Sequence, residues 1–161
     1  MVIGCANNTQ KQTASSSSGP APKDGALSFP SDYSSYPVFL KAVQKPKHVR
    51  DLYVNSTGAK TQKGENFPND SVLVMPIYNA ETDAGGKNVK SGLAKVYVME
   101  KGAGWGKNAP KGLGNGDWIF TAFTPDGKPV DANYAKCRGC HLPLNEADFV
   151  HRYDEYFDKR G

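Results

Sequence analysis

Near its C-terminus the chain carries Cys137-Arg138-Gly139-Cys140-His141, and this pentapeptide constrains the fold more than any other feature. Two thiols held two residues apart can add across the two vinyl groups of one porphyrin, while the next residue places an imidazole beneath the iron. The pattern predicts one covalently attached haem c per chain, anchored by Cys137 and Cys140, with His141 as the metal ligand. Two other chemistries use the same spacing. A redox pair usually opens a helix in a thioredoxin-like fold, whose strand-helix alternation is absent here. A structural zinc site needs four ligands, and no second Cys-x-x-Cys exists. The domain must therefore be assembled around a haem, and an exported, periplasmic protein is expected.

The remaining composition leaves room for one such domain. The chain has 161 residues, 38% hydrophobic and 22% charged, with 17 Gly and 11 Pro and a mean hydropathy of -0.59, as in a single soluble domain carrying some loose chain. Its longest apolar run, Val72-Leu73-Val74-Met75, stops at Pro76, far short of the ~20 residues of a spanning helix. The net charge of +4 comes from scattered lysines, so nucleic acid is not an expected partner.

Residues 1–25 read as a flexible polar tail, since Ser15 to Ser18 and Gly19-Pro20-Ala21-Pro22 offer almost nothing to bury. Val2-Ile3-Gly4-Cys5 admits two readings: an ordinary flexible terminus with one cysteine, or the end of a lipoprotein signal in which Cys5 takes a lipid anchor. Residues 26–161 form the haem-binding domain. Phe29-Pro30-Ser31-Asp32 predicts a helix entry, with Tyr36, Phe39, Leu40 and Val43 following at the spacing of one buried face. Four Val/Tyr/Ile/Phe-rich segments predict strands: 48–55, 71–78, 93–99 and 117–123. A glycine-rich loop over 102–116 lacks phosphate-binding spacing. Asn145 is expected to cap a C-terminal helix with Asp148 at its third position and Phe149, Val150, Tyr153 and Phe157 on one face. These elements predict an α+β fold, predominantly antiparallel sheet with flanking helices.

The sixth coordination position sets the chemistry. Met75, Met99, His48, His151 and the lysines are the candidates; His151 is expected on the proximal side or the surface. Arg138 and Arg152 read as solvated arginines, with Arg152 also a candidate contact on the proximal face.

In order and spacing, Phe29 to Tyr33, His48 to Asn55, Phe67 to Val74 and Cys137 to His141 resemble the cytochrome P-460 family and its relatives, the cytochromes c′-beta. The resemblance implies a β-rich, homodimeric cytochrome rather than a four-helix bundle. P-460 members carry a lysine, cross-linked to the porphyrin, in the strand after the Phe-Pro-Asp-Gly-like turn; turn-to-turn matching puts Met75 there. A distal carboxylate of the same enzymes falls on Ala94. The chain thus resembles the methionine variant of cytochrome c′-beta, in which hydroxylamine oxidation is not expected. The expected function is a five-coordinate, His141-ligated haem that binds NO or CO in an apolar pocket including Met75 and Ala94, in NO scavenging or sensing. The alternatives are a His/Met electron-transfer cytochrome and a hydroxylamine-oxidising or peroxidase-like enzyme.

Overall fold

Runs rich in β-branched and aromatic residues, joined by short Gly/Asn/Asp/Pro turns, favour strands that pair with their sequence neighbours. The computed structural model, which describes residues 20–160, follows that rule throughout. Its strands are β1 (Val38–Lys45), β2 (His48–Val54), β3 (Val72–Thr82), β4 (Asn88–Lys101), β5 (Trp118–Phe123) and β6 (Pro129–Val130). They form one antiparallel sheet in chain order. Two helices follow, α1 (Tyr134–His141) and α2 (Tyr153–Arg160). The fold is α+β and sheet-dominated, as expected from the sequence. The tail segment containing Cys5 lies outside the described residues.

The sheet buries both faces under different parts of the chain. On the first face, Leu73, Met99, Trp118 and Phe120 pack with Tyr153, Tyr156 and Phe157 of α2 and with Phe67. Phe67 lies within 5.9 Å of the Trp118 ring and 6.1 Å of the Tyr153 ring, both edge-on. On the second face, Val74, Val96, Val98, Ile119 and Phe123 are covered by Leu27, Phe29 and Tyr33 of the N-terminal segment. This alternation of in and out along each strand is the two-residue period of a pleated sheet.

Two sequence expectations are corrected. Residues 38–45 form strand β1, not a helix, and only Tyr33–Ser35 makes a short 3-10 turn. The β1–β2 register shifts between Val38 and Leu40 and again between Leu40 and Val43, and Ala42 has φ 52°. These irregularities break the strand alternation and bury the neighbours Phe39 and Leu40 together, so the buried positions fall at helix-like spacing. At the C-terminus, the cysteine pair lies on its own helix, capped by the Asn133 side chain accepting from Lys136 N–H. Asn145 sits in a 3-10 turn over Leu142–Ala147, and α2 begins only at Tyr153. Asp148, Phe149 and Arg152 between them all have positive φ. The expected apolar residues are packed inward, but Phe149 and Val150 reach the core from a loop.

The glycine-rich segment is tied to the sheet by Asp117, whose carboxylate accepts from Gly104 N–H at 3.1 Å and Gly106 N–H at 2.9 Å. A Cβ at Gly106 would overlap the Gly116 carbonyl.

Glu100 on β4 is half-buried, and burial, reinforced by Asp70, pushes its carboxyl above the ordinary glutamate range. The folded state thus favours the protonated acid and is penalised at neutral pH, where the unfolded chain carries the charge freely. Glu100→Gln is expected to be the more stable protein in urea unfolding at pH 7, with the gain shrinking as pH falls towards the usual glutamate range.

Candidate haem site

Helix α1 carries Cys137, Cys140 and His141 at i, i+3 and i+4, which places all three on one helical face. Cys137 is half-buried and Cys140 exposed, and both are free thiols. Burial, with the nearby Asp24 carboxylate, pushes the Cys137 thiol up, so it is a neutral thiol at physiological pH.

Arg138, between the cysteines, points the other way. The expectation of a solvated arginine is corrected: it is 1% exposed. Its Nε and Nη2 donate to the Asp24 carboxylate at 2.6 and 3.0 Å, and Nη2 also reaches the Trp118 carbonyl at 3.3 Å. Asn115 donates to the Arg138 carbonyl at 3.1 Å. Arg138 thus pins α1 to the N-terminal segment, the glycine-rich loop and β5.

His141 is held at its ring nitrogen. Nδ1 stands 2.7 Å from the Phe149 carbonyl, which can only accept, so Nδ1 carries the proton and the lone pair is on Nε2. Among the described residues Nε2 makes no hydrogen bond. Burial pushes the His141 pKa below its ordinary value, the Phe149 hydrogen bond opposes the shift, and His151 adds to it. The result is a neutral imidazole with its ligating nitrogen available, the state a metal-binding histidine needs. The Phe120 ring lies 5.1 Å away. His151 is exposed and edge-on to His141 at 4.6 Å, on the surface as the sequence suggested.

Beyond Phe120, the first sheet face is only partly covered. Phe120 pairs with Met99, and two residues along lie Tyr97 and its partner Met75. Met75 and Tyr97 are half-buried, as is Leu52 on β2. One step further, Arg50 pairs with Ile77 and Ile77 with Lys95. An apolar strip bordered by two cations thus adjoins the His141 ring. Met75 belongs to this strip. Met99 is 8% exposed within the core, and His48 lies at the β1–β2 turn opposite Lys45. Ala94 falls where β4 spends two residues, from Lys95 to Leu93, against one on β3, from Ile77 to Tyr78. Arg152 is exposed and pairs with Glu155 at 2.6 Å.

A sheet-dominated domain that presents two thiols and an imidazole from one helix face belongs with haem-binding cytochromes built on β-structure. The family model for cytochrome P460 matches residues 30–152, well over half of the chain, and the chain belongs to that family. No curated protein matches it significantly. Membership implies a haem cofactor, and the residues present fit one. His141 could supply a nitrogen ligand to its iron, and Leu52, Met75 and Ile77 could supply apolar surface. Arg50 is half-buried, and its Nε is buried with no hydrogen-bond partner; a buried N–H calls for an acceptor, and a haem propionate is a carboxylate.

Asp24, Asn115, Asp148 and the Phe149 carbonyl escape sequence reasoning. A main-chain carbonyl carries no sequence signal, and Asp148 looked like the first turn of a helix.

Removing the Arg138 guanidinium leaves the Asp24 carboxylate without its charge partner, so Arg138→Ala is expected to cost about 3–5 kcal/mol in denaturant unfolding. An unchanged midpoint would mean that this ion pair does not anchor α1.

Proposed function

We propose that the chain is a c-type cytochrome whose haem is joined to Cys137 and Cys140 and ligated by His141, and which binds NO or CO on the opposite side. The observation that carries this reading is the state of His141: Nδ1–H committed to the Phe149 carbonyl, Nε2 available, and both thiols on the same helical face. When bound, the haem supplies an iron with one position for an exogenous ligand. The chain's own residues do the rest. His141 would supply a nitrogen ligand, Phe149 holds the imidazole in one tautomer, and Arg50 would meet a carboxylate. The Leu52, Met75 and Ile77 side chains offer no hydrogen-bond donor, and the donors near them are the Tyr97 hydroxyl and the Arg50 and Lys95 cations at the margin. Bound dioxygen carries more negative charge than NO or CO and gains more from a donor, so a ligand facing the three apolar side chains is favoured when it is NO or CO.

Met75 is proposed to stand where P-460 enzymes place their cross-linking lysine, and Ala94 where they place a carboxylate. A thioether cannot form the nitrogen–carbon link, and without an acceptor there is no base for hydroxylamine oxidation. Thioether attachment also supports a periplasmic location, where the protein is proposed to act in NO scavenging or sensing as a homodimer, tethered if Cys5 is lipidated.

Optical spectra of the ferric, ferrous and gas-exposed protein test the reading. The expected result is a high-spin ferric haem without red-shifted cross-link absorption, a ferrous form that binds both NO and CO, and no turnover of hydroxylamine. A low-spin ferric spectrum with a methionine–iron charge-transfer band would instead make Met75 the sixth ligand and the protein an electron carrier. Failure to bind either gas overturns the proposal.

A further inference from the structure

The carbonyl that fixes His141 belongs to an unfavourable stretch of backbone. Asp148 has φ 49° and Phe149 φ 61°, consecutive residues in the left-handed region that side chains disfavour. Such a conformation persists only where its surroundings over-determine it, and here they do so through Asp148. Its carboxylate is 4% exposed. One oxygen accepts from Phe67 N–H at 2.8 Å, and the two oxygens lie 3.0 and 2.8 Å from Lys101 Nζ. Lys101 Nζ also donates to the Phe67 carbonyl at 2.8 Å. The Asp148 carbonyl accepts from Trp118 Nε1 at 2.9 Å. Two of these three partners are strand residues, Lys101 at the end of β4 and Trp118 at the start of β5. Every polar group of Asp148 that faces inward is thereby tied to the sheet or to the Phe67 segment, and the next residue along holds the imidazole.

The geometry points to Lys101 and Asp148 as positioning residues for the axial ligand: the buried ion pair locks the loop so that the Phe149 carbonyl meets His141 Nδ1–H at short range, and this sets how strongly His141 donates to the metal. A stronger hydrogen bond at Nδ1 makes the imidazole a better donor. Stability alone is a poor reason for such a pair, because two apolar residues of similar volume serve a core equally well. The inference rests on His141 being the axial ligand, as proposed above.

The test uses the haem-loaded protein, with Asp148→Asn, which keeps an acceptor for Phe67 but loses the charge, and Lys101→Met, which leaves Asp148 its Phe67 and Trp118 partners. Val96→Ala, in the core of the opposite sheet face, serves as a control that lowers stability without touching the loop. The readouts are the iron–histidine stretching frequency of the ferrous protein by resonance Raman and the reduction potential. Asp148→Asn and Lys101→Met are expected to shift the frequency down and the potential up relative to wild type, while Val96→Ala moves only the unfolding midpoint. Unchanged frequency and potential in both loop variants overturn the inference while leaving His141 ligation intact. A wild-type protein with no iron–histidine band removes its premise, and the inference falls with it.

Discussion

The hydrogen bond between His141 Nδ1 and the Phe149 carbonyl, 2.7 Å long, is the contact on which the site depends. An imidazole can bind a metal only through a nitrogen that carries a lone pair, and in a neutral ring the proton occupies one of two positions. By accepting the Nδ1–H hydrogen bond, the carbonyl keeps the proton on Nδ1, leaves the lone pair on Nε2 and fixes the plane of the ring. Burial keeps the ring neutral, so the preference does not compete with protonation. Much of the surrounding structure can be understood as support for that one contact: α1 is anchored through Arg138, and the loop after the 3-10 turn is anchored through Asp148.

The sheet divides the work between its faces. The second face, with Val74, Val96, Val98 and Ile119 under Leu27 and Phe29, is apolar packing, although Asp51 and Lys90 form an ion pair at its margin. The first face is covered by α2 and the Phe67–Trp118–Tyr153 aromatic group at one end and left partly open at Leu52, Met75 and Tyr97. The uncovered part of the first face is where a large planar cofactor would find apolar surface. Charge follows the same division: Arg50 and Lys95 border the open strip, where a cofactor carrying carboxylates has use for them.

The candidate site was visible in residue order because Cys-x-x-Cys-His is local: the helix that aligns its three side chains spans only a few residues. The four central strands were equally local, since Val, Ile, Tyr and Phe cluster in them and turns separate them. Their polar extensions, 79–82 and 88–92, escaped because nothing apolar marks a solvated hairpin. Residues 38–45 misled because bulges broke the strand period and produced helix-like spacing. Asp148 misled because an acidic residue after Asn145 looks like a helix start, whereas its carboxylate is bound to Phe67 and Lys101, residues far away in the chain. Arg138 misled for the same reason, since its partner Asp24 precedes it by more than a hundred positions. Local signals revealed what the site contains, and long-range polar contacts decide how it is held.

The most direct measurement of the account is the intact mass of the denatured protein after production in a compartment that matures c-type cytochromes, compared with a Cys137→Ala/Cys140→Ala variant. One haem is expected to remain on the denatured wild-type chain and none on the variant. A wild-type chain that gives up its haem on denaturation would contradict it.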